Sequence, residues 1–186
     1  MSAQNAILVA LALPLAGALA IALAGRVSAN LRETVTLVTA GGLAYTVWQI
    51  VPEIMAGGRP GVTLAEVLPG ISLAFTVEPL GMLFAALASS LWIINSIYSI
   101  GYMRGNAEKN QTRFYVMFAV SLAATMGIAF AGNLFTLFLC YEALTLATYP
   151  LVAHKGDEKT VRSARVYLGI LLATSIGLFL PAIIWT

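Results

Sequence analysis

Glu142 is a carboxylate in the middle of an apolar run, Asn133 to His154, reading NLFTLFLCYEALTLATYPLVAH. Burying a carboxylate in hydrocarbon is costly unless it is paired, hydrated or protonated. Desolvation favours the neutral acid and a nearby cation favours the anion. A carboxyl group held where the two effects nearly balance takes up and releases a proton as its surroundings change. On a helix, Thr145 and Tyr149 follow Glu142 along one face, while Thr136 and Thr148 lie off that line. Such a strip can hold water and a proton relay. The other reading is a carboxylate that staples helices through hydrogen bonds.

His154 closes the run. Its titration range suits a proton entry point; a solvated end residue is the plainer reading. A buried cation is the expected partner of Glu142. No Lys or Arg lies deep in an apolar run, and the nearest candidates are Arg162 and Arg165 at the start of the last one. With one His and one Cys there is no credible transition-metal site. No phosphate-binding loop, nucleophile elbow or dinucleotide fingerprint is present, so no cofactor is expected. There is no nucleic-acid signature and no basic run. The single Cys140 cannot form an intrachain disulfide and does not report the compartment.

The elements that hold these residues follow from composition. The 186-residue chain is 60% hydrophobic and 10% charged, against about 25% charged in soluble domains. This predicts an all-α polytopic membrane protein, a single transmembrane domain over 1–186. A bilayer needs about 20 apolar residues per helix. Six spans are expected at about 6–25, 31–51, 79–101, 114–131, 134–153 and 161–185. Pro14 is expected to kink the first, and Pro52 to end the second. Residues 57–78 are read as an outside ordered loop, with Ile71, Leu73, Phe75 and Val77 alternating as in a short strand. Ala16, Ala20 and Ala24 recur at four-residue spacing, as in close helix packing. Asn95, Ser96, Ser99 and Tyr102, and Ser121 with Thr125, are expected to hydrogen-bond between helices. Asp157 or Thr160 is expected to cap the sixth span.

Nine of the ten Lys and Arg residues fall in alternate connections, and only Arg59 falls on the other side. The positive-inside rule then places the N-terminus outside. The leading segment Met1 to Asn5 carries no basic side chain, which argues for a retained first span over a cleaved signal. Glu142, about 14 Å beyond Asn133, lies near the bilayer midplane.

Several segments, in order, resemble the antiporter-like membrane subunits. They are Glu78 to Phe84 (EPLGMLF), Tyr98 to Met103 (YSIGYM), Arg113 to Tyr115 (RFY), Asn133 to Phe138 (NLFTLF), Tyr141 to Leu146 (YEALTL) and Thr148 to Val152 (TYPLV). That family is shared by respiratory complex I, membrane-bound hydrogenases and multisubunit cation/proton antiporters, and the D-type antiporter subunit is the nearest in character. The resemblance covers only the N-terminal six-span portion of a pattern of about fourteen spans built as inverted repeats. It implies that Glu142 is the family's protonatable switch. It places Arg165 at a position often held by Lys, where Arg would bias Glu142 without relaying protons. Glu78 stands where Asp is usual, and Tyr141 where Trp is frequent. The family's buried lysine on a broken seventh span has no counterpart in these residues.

The resulting expectation is a membrane subunit of a proton-translocating or cation/proton antiport complex in a bacterial inner membrane. Proton transfer would run through Glu142, Thr145, Tyr149 and His154, with Arg165 or a partner's lysine as the tuning charge. Its partners would be other membrane subunits, the lipid bilayer, protons and Na⁺. It would not be an enzyme by itself, although it could serve a redox-driven translocase such as NADH:quinone oxidoreductase as a non-catalytic subunit. The alternatives are a small independent secondary transporter and a non-conducting assembly subunit.

Overall fold

The computed structural model describes residues 1–68 and 70–185, Leu68 by its backbone only. Pro69, in the expected 57–78 loop, and Thr186 lie outside the described residues. Helix α1 spans Ala3–Val27 and α2 spans Ala29–Trp48. One residue joins them. Ser28 donates its N–H to the Ala24 carbonyl and accepts the Leu31 N–H at its hydroxyl, so it closes one helix and opens the next. Pro14 lies buried within α1.

Pro52 does not end the second span. Helix α2 stops at Trp48, and Pro52 lies in the first turn of a short α3, Val51–Met55. Proline is tolerated there because the first N–H groups of a helix lack intrahelical acceptors in any case. The stretch after it is a β-hairpin. Strand β1, Gly61–Leu68, pairs antiparallel with β2, Ile71–Thr76, in the register Val62 to Phe75 and Glu66 to Ser72. The alternation seen over 71–77 is β2. Strand β1 has no such clean pattern because the pairing slips between Thr63 and Ala65 and again between Glu66 and Leu68.

Helix α4 runs from Pro79 to Gly105, α5 from Gln111 to Ala129, and α6 from Leu134 to Val152. The last segment comprises α7, Glu158–Thr174, a π-helical turn over Ser175–Phe179, and α8, Leu180–Trp185. Asp157 is its N-cap, accepting the Thr160 N–H. Six helical segments are long and apolar enough to cross a membrane: Ala3–Val27, Ala29–Met55, Pro79–Gly105, Gln111–Ala129, Leu134–Val152 and Glu158–Trp185. The protein is an integral membrane protein of all-α class.

The core forms where α1, α2, α4 and α5 meet, around Ile7, Ile21, Leu43, Val47, Trp92, Met126 and Phe130. The small-residue stripe of α1 is not the expected one. Ala6, Ala10, Gly17 and Ala24 are buried, whereas Ala16 and Ala20 are exposed. A Cβ on Gly17 would overlap the Thr39 side chain, so the glycine sets the close approach of α1 and α2. Ser121 and Thr125 do not bridge helices; they donate to the Met117 and Ser121 carbonyls of their own helix. An apolar span satisfies hydroxyls cheaply this way. The final segment packs mainly on α6 and is largely exposed.

Candidate functional site

Helix α6 carries the candidate site, and the hairpin fixes its start. Asn133 caps α6 by accepting the Thr136 N–H at 2.7 Å, and its Nδ2 donates to the Ser72 carbonyl at 2.7 Å. The fully buried Thr136 hydroxyl accepts the Ala74 N–H at 3.0 Å. Gly132 donates to Ala74, and Thr76 donates to Phe130. Strand β2 therefore clamps the turn between α5 and α6. Lower down, a Cβ on Gly127 of α5 would stand 2.5 Å from Cys140 Sγ, so only glycine permits this approach of α6.

Glu142 lies at the centre of α6, eight residues after Leu134 and ten before Val152. Its side chain is half-buried, and its Oε1 is buried without a hydrogen-bond partner among the described residues. At about 100° per residue it projects roughly 40° from Phe138. The Phe138 ring meets Phe179 of the π turn edge-on, with centroids 5.8 Å apart. Glu142 thus lies on the side of α6 turned towards the last segment and away from Cys140 and the core. Beside it, Tyr141 shares a cavity of about 410 Å³ with Thr174, Ser175, Leu178, Phe179 and Ala182.

The remaining predicted residues occupy different surroundings. The buried Thr145 hydroxyl donates to the Tyr141 carbonyl at 3.0 Å, its own helix, and not to Glu142. Tyr149 is half-buried one turn further on. Arg165 is exposed on α7, and among the described residues no ion pair joins it to Glu142. His154 follows the end of α6 with its ring edge-on to Phe114, centroids 5.7 Å apart. Both His154 ring nitrogens are buried without partners among the described residues, and its carbonyl accepts from Arg113 at 3.0 Å. It faces a cavity of about 460 Å³ shared with Glu108, Lys109, Lys155 and Asp157. Of these groups, Asp157 is held below the usual carboxylate range, chiefly by the Thr160 hydroxyl and also by the Thr160 N–H. The chain brings Glu142, Thr145 and Tyr149 onto one helix side without direct hydrogen bonds between them. Arg165 and His154 stand apart.

One charged cluster escaped the sequence reading. Arg32 and Glu33, near the start of α2, are each only 6% exposed. Glu33 accepts from Arg32 at 3.2 Å and from Arg104 of α4 at 2.6 and 3.0 Å. Arg32 also donates to Gln111 and Thr112 of α5 and lies over the Tyr115 ring, 5.1 Å from its centroid. Arg104 reaches Asn30 as well. Two arginines counted as loop charges therefore tie three helices together around one glutamate. Nothing in the run of residues marks them, because the partners are distant in sequence.

The fold and the site define a membrane helix bundle with a carboxylate at the centre of a span. Its relatives are antiporter-like membrane subunits. The chain is 31% identical over 86 residues to NADH-quinone oxidoreductase subunit N of Campylobacter jejuni, covering 46% of this chain and 18% of the relative. It is 29% identical over 89 residues to a Na⁺/H⁺ antiporter subunit of Alkalihalophilus pseudofirmus, covering 47% of this chain and 11% of the relative. The fold matches a chain of the Mrp complex from Dietzia with a TM-score of 0.77 at 19% identity, over 91% of this chain and 18% of that one. No family model matches the chain. The chain spans less than a fifth of the length of the curated relatives it matches.

Proposed function

We propose that this chain is a membrane subunit of a proton-translocating or cation/proton antiport complex, with Glu142 as its protonatable switch. The observation that carries the reading is the Glu142 carboxyl group: central in a span, half-buried, with one oxygen enclosed and unpartnered. A staple would be expected to bond to a neighbouring helix, and among the described residues this group does not. An enclosed acid without a fixed partner is free to exchange a proton with water or with a cation brought by another chain. The relatives, by name subunits of a quinone oxidoreductase and of a Na⁺/H⁺ antiporter, support the same chemistry.

In this reading Thr145 and Tyr149 flank a short water path along α6, and His154 marks its entry at the basic end. A lysine from another part of the assembly supplies the tuning charge, or Arg165 does so by turning inward. Any hydride or electron transfer belongs to other subunits. The host membrane is a bacterial inner membrane, with the N-terminus outside by the distribution of Lys and Arg. The test is Glu142→Gln in the assembled complex: ion transport is lost while the complex assembles in normal amount. Normal transport by that variant refutes the reading.

A further inference from the structure

We propose that His154 is a protonation-operated latch between the basic-side ends of α5 and α6. Neutral, its ring is seated on Phe114; protonated, it turns into the neighbouring cavity towards Glu108 and Asp157. This adds regulation to the entry point that the proposed function places at His154, and it rests on that reading for its consequence.

The seat suits only the neutral ring. The His154 ring stands edge-on to Phe114, centroids 5.7 Å apart, and Phe114 in turn stacks on Phe118 at 6.0 Å. Both imidazole nitrogens are enclosed there, without a hydrogen-bond partner among the described residues. A neutral imidazole leaves one N–H and one lone pair unpaired in this seat. An imidazolium would leave two N–H groups unpaired and enclose a charge, which costs far more. The Phe114 ring attracts a cation, but less strongly than a carboxylate does.

The cavity supplies what the seat lacks. Its volume is about 460 Å³, and Glu108, Lys109, Lys155 and Asp157 line it with His154. Glu108 comes from the α4–α5 connection and Asp157 from the α6–α7 connection. Two carboxylates and two ammonium groups nearly cancel at a distance, so direct bonding decides where a charged ring goes. A carboxylate accepts from an imidazolium N–H, and an ammonium cannot. Arg113, the remaining cation against His154, donates to the His154 carbonyl at 3.0 Å and holds the backbone while the ring turns. Glu108 is braced from behind: its N–H donates to the Met103 carbonyl, and its carbonyl accepts from Gln111 at 3.1 Å. Asp157 is kept charged by the Thr160 hydroxyl and N–H, so it remains an acceptor throughout the range in which an imidazole takes its proton. Protonation thus exchanges one contact for another. The neutral ring ties α6 to α5 through Phe114, whereas the charged ring ties the two connections together and uncovers Phe114.

The test puts para-fluorophenylalanine in place of Phe114 in the intact complex and follows its fluorine NMR signal in light and heavy water. The difference between the two solvents reports how far water reaches the ring. That difference is expected to rise about twofold as the pH falls from about 8 to 5, the range in which an imidazole takes its proton. His154→Phe, which keeps an aromatic ring in the seat and cannot titrate, should hold it constant. Glu108→Gln with Asp157→Asn removes both charged acceptors while asparagine still caps α7, and should at least about halve the rise. A solvent difference that stays constant in the parent protein means that the ring titrates in place, and it overturns the latch. So does a rise that persists in His154→Phe, or one that the carboxylate pair leaves unchanged. Proton flux measured on the same preparations separates the two readings. Loss of flux in Glu142→Gln with no response at Phe114 refutes the latch alone. A pH response at Phe114 with full flux in Glu142→Gln refutes the proposed function and leaves the latch standing.

Discussion

Oε2 of Glu33 lies 2.6 Å from Nη2 of Arg104, a contact that joins the start of α2 to the end of α4. The same carboxylate holds Arg32, whose side chain is almost fully enclosed, and Arg32 in turn reaches α5. Removing the carboxylate leaves Arg32 buried without a counter-charge. Glu33→Ala is therefore expected to destabilise the bundle by about 3 kcal/mol. Glu33→Gln, which keeps hydrogen-bond acceptance but not the charge, should cost less. Thermal unfolding of the purified protein in detergent checks both, and an unchanged midpoint for Glu33→Ala would contradict the assignment.

The clamp between the hairpin and α6 makes a second prediction. Thr136→Val preserves shape but leaves the half-buried Ala74 N–H without its acceptor. Such a loss typically costs about 1–3 kcal/mol. Hydrogen exchange should accelerate at Ala74 and over the first turn of α6, with α1 and α2 unaffected. Equal protection in the variant would show that the hairpin does not hold α6.

Gly127 sets how closely α6 lies against α5, because a side chain there meets Cys140. Gly127→Val should wedge the two helices apart. Adding Cys140→Ala to Gly127→Val, which returns some of the space, should recover part of the stability. Thermal midpoints of the single and double variants test the coupling, and simple additivity would argue against direct contact.

At the start of α7, Asp157 is held in its charged form by Thr160. A carboxylate whose folded pKa is lowered contributes stability that is complete above the ordinary carboxylate range. That contribution is lost as the pH falls through the lowered value. Protection of the first turn of α7 should thus fade in acid, and Asp157→Asn should flatten this dependence. Identical pH profiles for the two proteins would contradict it.

Much of the fold was legible because the bilayer imposes a coarse rule, and long apolar runs between Arg26, Pro79, Asn133 and Asp157 obey it. Cap residues such as Asn133 and Asp157 were legible because their chemistry is local. Strand β1 was missed because its bulges erase the alternation that exposed β2. The break at Gln49 and Ile50 was assigned to Pro52, a strong local signal that turned out to begin a helix. The small-residue stripe of α1 was misplaced because four-residue spacing alone does not say which face meets α2. Glu142 stood out by type and position. The Arg32, Glu33 and Arg104 cluster did not, because buried pairing between distant segments leaves no mark on either one. The pairing of Arg165 with Glu142 rests on its place at the start of the last span and on the family pattern, and α7 holds Arg165 exposed.

The central claim concerns the proton on Glu142. Its most direct test is ion-driven proton flux in inverted membrane vesicles containing the assembled complex with Glu142→Gln or Glu142→Asp. The account predicts at least about a tenfold loss of flux for Glu142→Gln, partial activity for Glu142→Asp, which keeps a titratable carboxyl group, and wild-type amounts of complex in both. Wild-type flux through the glutamine variant would contradict it.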